Sequence, residues 1–364
     1  VTAAPPFRLA PLAFAGLAGW AEDDHAAAFA AFRAGAAVIA DHPPKRRALG
    51  TDPDGLARCL ARAAAIPADL DRDTARAFFE GSFRPFAVEP VDGTAFFTGY
   101  YEPVVEGSRM PSPAFSAPLY RVPPDLVEID PDDPPAGIGP GTRFARRTPD
   151  GRLVPHPDRG AIMAGALAGQ GLELVHLADP VDAFFVHVQG AARVRLAEGG
   201  EIRITYAAKS GHPYTPIGRV LIDMGALPKG GTTMAAIRAW LVAHPDEAPV
   251  VMARNRSTIF FREAPVEDPA AGPVAAAKVP LHAGRSLAVD RLIHSFHTPV
   301  FVETRLPDGS AWSRLMVAHD TGSAIVGPAR GDIFFGSGEE AGALAGAMQA
   351  KGRFVVLLPE GQGG

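Results

Sequence analysis

Two aspartates twelve positions apart, Asp320 and Asp332, stand in "HDTGSAIVGPARGDIFFGSG", a stretch otherwise made largely of glycines and apolar residues. Such a run folds into packed strands and tight turns, where burying an unpaired carboxylate is costly and its pKa tends to shift instead. A carboxyl group kept protonated near neutrality can act as a general acid, and a second one close by makes joint ionisation harder. The flanking Ile333, Phe334 and Phe335 offer Asp332 a desolvating neighbourhood. The plainer reading is that either aspartate caps a turn, and the Asp-Thr-Gly context of Asp320 is a turn by itself. Asp290 is a third aspartate in this part of the chain; beside Arg291 it reads as a structural ion pair or a turn residue.

The elements that must position these groups are short. "RSLAVDRLIHSFHTPVFVETR", "SRLMVAHDTG", "GDIFFGSG" and "GRFVVLLP" are rich in Val, Ile and Phe and separated by glycine turns, the pattern of a small closed barrel. Three aspartates on adjoining strands of one barrel could face a common opening. Earlier in the chain, helical spacing marks "AEDDHAAAFAAFRAGAAVIAD", read as the first helix and capped by Asp23 and Asp24, then "GLARCLARAAAI" and "DRDTARAFFEGSF". Strand-like runs follow in "AFFTGYYEPVVEGS", "AFFVHVQGAARVRLAEGGEIRITYAA" and "RSTIFFRE", with a hairpin expected at Glu198-Gly199-Gly200. Arg121 to Gly141 reads as a long loop and Glu263 to Pro280 as a linker. They bracket a middle block, so the expected organisation is a discontinuous domain of residues 1–107 and 263–364 with a β-rich insertion of residues 108–262. Ligands favour clefts between domains, and a groove between these two is expected.

The 364 residues, 47% of them hydrophobic, suffice for a sizeable core and for roughly two domains of ~100–200 residues. With 35 basic and 40 acidic residues and no long basic run, nucleic acid is not the expected partner. Cys59 is the sole cysteine, which excludes an internal disulfide and a cysteine-based metal cluster. His187, His212, His294 and His297 follow no HExxH or Cys-containing spacing, so no metal is expected. No stretch reaches the ~18 apolar residues of a membrane span. The sequence opens at Val1 without methionine, as expected if a signal or anchor segment has been removed.

Several segments together carry a family resemblance. "LAVD…MVAHDTGSAIVGPARGDIFFGSGEEAGALAGAM" resembles the three-aspartate domain, a double-psi β-barrel. "FFTGYYEPVVEGS", "FFVHVQGAARVRL", "YAAKSGHPYTPIGRVLIDMG" and "NRSTIFFRE" are similar, in order, to signatures of the membrane-bound lytic murein transglycosylase A (MltA) family. Departures are local. Ala191 and Ala192 stand where the family usually has Ser-Gly, Arg256 where it has Pro, and "HSFHTPVF" replaces a proline-led segment; none removes a carboxylate.

The resemblance implies a mainly β fold with N-terminal helices, the double-psi β-barrel joined to a second, inserted β-rich domain. It implies non-hydrolytic cleavage of the β-1,4 MurNAc–GlcNAc bond of peptidoglycan, giving 1,6-anhydromuramoyl ends. The sugar's own C6 hydroxyl then attacks, so one carboxyl group can perform both proton transfers. Asp332 in "GDIFFG" is that group by the resemblance, and Asp320 supports it as a nearby negative charge. The substrate-binding set is Thr98, Tyr100, Tyr101, Gln189, Lys209 and Tyr214. Because strand neighbours point to opposite faces, one tyrosine of the Tyr100-Tyr101 pair is expected to face the core. Glu102 is expected to be structural. No cofactor is implied. The implied partners are glycan strands and other cell-wall enzymes, the chain itself a monomer, in the periplasm at the outer membrane of a Gram-negative bacterium.

Two rivals remain open on the residues. "HDTGSA" resembles an aspartic-protease turn, but such enzymes need two and this chain has one. A non-catalytic murein-binding module could keep the tyrosines and Gln189 without needing a protonated aspartate.

Overall fold

A computed structural model describes residues 6–266 and 268–361. Val1, on which the expectation of a removed leader rests, and Glu267 of the expected linker lie outside the described residues. The chain divides into two compact units, Val1–Tyr101 with Asp268–Gly364, and Glu102–Glu267.

In the first unit the strands run in the order Phe7–Pro11, Phe83–Pro90, Gln349–Pro359, Pro299–Arg305, Ala311–Asp320, Ser286–Ala288, Arg330–Ser337, Ala95–Glu102. The long strand Gln349–Pro359 pairs again, through Gln349–Gly352, with Ala95–Thr98, and this closes the last six into a ring. Closure removes free edges and leaves an interior filled by side chains. Phe97, Leu287, Val300, Val302, Met316, Ile333, Phe354 and Val356 supply that filling.

Three helices, His25–Ala34, Pro53–Ala64 and Arg72–Ser82, pack on the outside of the barrel. Phe29, Phe32, Leu56, Leu60, Phe79 and Phe83 share a core with Phe301, Leu315, Val317, Val355 and Leu357. Each helix starts at an aspartate whose carboxylate accepts backbone N–H groups left open by the first turn: Asp24 from Ala27, Asp52 from Gly55, Asp71 from Asp73 and Thr74. Asp23 does not cap. It is buried in a two-pronged pair with Arg285, at 2.9 Å to each guanidinium nitrogen, and also accepts the Leu315 N–H at 2.7 Å. That pair ties the helical segment to the barrel strands. Phe7–Pro11, before the first helix, is an edge strand on Phe83–Pro90.

The second unit holds a six-stranded sheet in the order Ile259–Ala264, Glu201–Lys209, Ala191–Leu196, Val104–Ser108, Glu173–Leu177, Ala117–Tyr120. The hairpin at Glu198-Gly199-Gly200 forms as expected, with Ala191–Leu196 antiparallel to Glu201–Lys209. The strand read through "AFFVHVQ" is instead the end of a helix, Pro180–Gln189. Phe184, Phe185 and Val186 carry strand propensity, but the boundary residues decide otherwise. Asp179 caps the Val181 N–H at 2.8 Å, Pro180 sits in the first turn, and Gly190 ends the helix at φ 85°. Four further helices, Arg159–Met163, Ile217–Asp223, Met234–Ala243 and Ala248–Ala253, join it in this unit. The expected loop Arg121 to Gly141 contains a short strand, Leu126–Glu128, paired with Phe144–Arg147.

Candidate active site

The three-residue strand Ser286–Ala288 brings the two aspartates into relation. It pairs in parallel with Ala311–Asp320 and antiparallel with Arg330–Ser337, and Ala288 is the register partner of both Asp320 and Asp332. Residues directly opposite one another in a sheet share a face, so both carboxyls leave the same face of the barrel wall. Two strand spacings of ~4.8 Å put their backbones roughly 10 Å apart.

On the next strand, Thr98 and Tyr100 alternate onto that same face. The Thr98 hydroxyl donates to Asp332 Oδ1. The Tyr100 hydroxyl donates to Asp320 Oδ2 at 3.1 Å. Behind them lies a small apolar floor of Tyr100, Leu281, Ala288, Ile325 and Phe334. The Tyr100 and Phe334 rings have centroids 5.3 Å apart.

Alternation also corrects the expected surroundings of Asp332. Ile333 and Phe335 pack into the barrel interior on the opposite face, leaving Phe334 as the aromatic neighbour on the site side.

Burial raises the pKa of Asp332, and the Arg330 guanidinium and the Thr98 hydroxyl oppose that rise by favouring the carboxylate. Burial pushes Asp320 up to about 6. Backbone N–H groups of Thr321 and Ala276 and the Tyr100 hydroxyl pull Asp320 back, while the charge of Asp332 adds to the rise. Tyr100 is raised well above the ordinary phenol range, chiefly by burial, so it stays neutral and keeps its donor.

Of the tyrosine pair, Tyr100 lies buried in the apolar floor while Tyr101 is half-buried. The Tyr101 ring packs against Gly342, where an added Cβ would come within 2.7 Å of it. Gln189, Lys209 and Tyr214 belong to the second unit. Gln189 ends the helix Pro180–Gln189 with its amide 3.9 Å from Met234 Sδ, and Lys209 ends the strand Glu201–Lys209. Tyr214 follows the "KSGHP" turn and is half-buried.

Asp290 is a turn residue, accepting the Leu292 and Gly327 N–H groups at 2.9 Å each. Glu102 is fully buried between Arg193 at 2.8 Å and Arg203 at 2.6 Å, which makes it structural through ion pairing. Arg256 pairs with Asp158 at 3.0 Å. His294 contacts the Pro328 carbonyl through Nε2 at 2.8 Å, and His212 the His156 carbonyl at 2.6 Å. Among the described residues no group of three or more His, Cys, Asp or Glu is arranged to hold a metal.

Sequence reasoning missed Arg330, which contacts Thr98 and acts electrostatically on Asp332. The available signal was its position two residues before Asp332 on a strand, hence on the same face.

Residues 96–262 match the MltA specific insert domain and residues 285–358 the 3D domain. The crystal structure of a membrane-bound lytic murein transglycosylase from Agrobacterium tumefaciens is 46% identical with a TM-score of 0.89, covering 97% of this chain and 98% of that one. Membrane-bound lytic murein transglycosylase A of Escherichia coli (strain K12) is 35% identical over 276 residues, 73% of this chain; the match spans 66% of that relative's length. A structure of E. coli MltA with bound chitohexaose is 28% identical with a TM-score of 0.68, covering 97% of this chain and 94% of that one. The mainly β architecture with its six-stranded ring, the paired insert and barrel matches, and the near-full-length likeness agree: the chain belongs to the MltA family of membrane-bound lytic murein transglycosylases.

Proposed function

We propose that this chain is a lytic transglycosylase that cleaves the MurNAc–GlcNAc bond of peptidoglycan without water, with Asp332 as the single general acid and base. The observation that carries the reading is the pair of half-buried carboxyls in register over Ala288, with Asp332 held by a hydroxyl donor and raised in pKa. In the first step Asp332 gives its proton to the glycosidic oxygen as the bond to C1 breaks. In the second the C6 hydroxyl of the same sugar closes onto C1, and the Asp332 carboxylate takes the hydroxyl proton. The acid is regenerated, no water is consumed, and the product is the 1,6-anhydro sugar. Desolvation suits the first step by favouring the protonated form of Asp332; the Arg330 charge suits the second by stabilising the carboxylate in between.

In this proposal the barrel unit is catalytic and the second unit is a substrate domain. Tyr101, Gln189, Lys209 and Tyr214 bind glycan, with Thr98 and Tyr100 supporting the two carboxyls. Action as a monomer at the outer membrane, with other cell-wall enzymes as partners, belongs to the same proposal. Among the described residues no helix is long and apolar enough to cross a membrane.

The roughly 10 Å between the backbones of Asp320 and Asp332 also admits the carboxyl separation of an inverting hydrolase, ~6.5–9.5 Å with a water between. Digestion of peptidoglycan in oxygen-18 water, read by mass spectrometry, separates the two. Anhydro ends free of heavy oxygen are expected, with product abolished by Asp332→Asn and reduced by Asp320→Asn. Heavy oxygen in the new ends means hydrolysis. Undiminished function of Asp332→Asn means a binding module.

A further inference from the structure

Arg330 lies two residues before Asp332 on one strand, so both side chains leave the same face. Its guanidinium is fixed at several points. Nη2 donates to Thr98 Oγ1 at 2.7 Å, Nη1 donates to the carbonyl oxygens of Phe96 and Gly331, and the Phe96 ring lies over the group at 5.3 Å. A guanidinium only donates, whereas a threonine hydroxyl has one hydrogen and two lone pairs. Arg330 occupies a lone pair of Thr98, and the hydroxyl hydrogen is directed onward to Asp332 Oδ1. Reversing the second bond would put the Asp332 proton on the remaining lone pair of Thr98 and leave the threonine hydrogen with no acceptor among the described residues, the cost of an unmade hydrogen bond. Asp332 Oδ1 is therefore held as an acceptor.

We propose that Arg330 is a positioning residue which, acting through Thr98, confines the transferable proton of Asp332 to Oδ2. The carboxyl then presents one defined oxygen to the glycosidic bond, and the same oxygen receives the C6 hydroxyl proton. The inference rests on Asp332 being the acid and base. The charged and titratable groups acting with Asp332 are Arg330 on its own strand, Tyr100 on the strand Ala95–Glu102, and Asp320 beyond Ser286–Ala288.

The test is a double-mutant cycle of Thr98→Val and Arg330→Met, with Arg330→Lys as the conservative variant. Release of anhydro-muropeptides gives kcat and KM across pH, and thermal melts report folding. Each single change should lower kcat roughly 10–100-fold, the range of a hydrogen bond to a charged group, with KM within about 2-fold. The double variant should fall no more than about 3-fold below Thr98→Val, because both changes break one relay. Removing the Arg330 charge should move the alkaline limb of kcat/KM to higher pH, and Arg330→Lys should restore it. Multiplicative losses, an effect confined to KM, or an unmoved limb would overturn the proposal. If Arg330→Met does not fold, Arg330→Lys completes the same cycle with Thr98→Val, since a single ammonium cannot reproduce the fixed fork. Turnover by Asp332→Asn in the same assay would instead refute the assignment of the acid, and that outcome is distinct from a failed cycle.

Discussion

Replacing Asp320 by asparagine should stabilise the protein at neutral pH and leave it nearly unchanged in acid. The carboxyl of Asp320 is pushed by burial from 3.8 to about 6. In the unfolded chain it titrates near its ordinary value, so between those two points the folded state holds the extra proton. Stability therefore falls as pH rises through this window, and the penalty is complete above about 6. The gap corresponds to about 3 kcal/mol. Asparagine carries no charge, its side-chain oxygen can still accept the Ala276 N–H, and its NH2 can donate to the Tyr100 hydroxyl oxygen, so Asp320→Asn escapes the penalty. Urea or thermal melts of the wild type and Asp320→Asn at intervals from pH 4 to pH 8 give the comparison. Their stabilities should converge near pH 4, and the variant should lead by about 3 kcal/mol, several degrees in Tm, near pH 7. Taking the difference cancels the titrating groups that do not interact with Asp320, while its coupled neighbour Asp332 contributes to the gap. A pH-independent gap, or a wild type that is the more stable at pH 8, would refute the reasoning that burial governs this carboxyl.

Glu102→Gln should strip the countercharge from buried Arg193 and Arg203 and destabilise the second unit by roughly 3–5 kcal/mol. Denaturant melts would show it, and a change under 1 kcal/mol would mean that the backbone alone holds this residue. Burial lowers His294 and His297 to about 4, so the stability of their neutral forms is present above their ordinary 6.5 and is lost as pH falls toward 4. Acid titration followed by tryptophan fluorescence should show a loss in that window which His294→Gln reduces.

The sequence made the barrel legible because its strands are apolar, β-branched and cut by glycines, and the two aspartates stood out as charges in such a run. Their relation to each other was not legible. It depends on Ser286–Ala288, a strand too short to show periodicity, pairing in parallel with one neighbour and antiparallel with the other. Arg330 was invisible for a related reason, since its partner Thr98 lies on a strand more than two hundred positions earlier. The helix Pro180–Gln189 was misread because Phe-Phe-Val suits a buried strand as well as a buried helix, and the Asp179 cap and Gly190 stop outweighed that local preference. Asp23 was read as a cap beside Asp24; nothing local could reveal that Arg285 claims it.

The ring of strands has a consequence for the order in which the molecule is made. The barrel cannot close until Gln349–Pro359 meets Ala95–Glu102, and nearly the whole second unit is synthesised between them. A floppy connection of that length would make closure slow, as non-local pairings generally are. The inserted sheet shortens the search if it folds first. Its opening strand Val104–Ser108 and its closing strand Ile259–Ala264 lie three strand spacings apart in one sheet, roughly 14 Å. Once that sheet has formed, the two halves of the barrel chain are tethered across a short span. The insert then acts as a folding clamp, and a lesion in it such as Arg203→Met, which breaks the buried pair with Glu102, should slow barrel assembly even though it replaces no residue of a barrel strand.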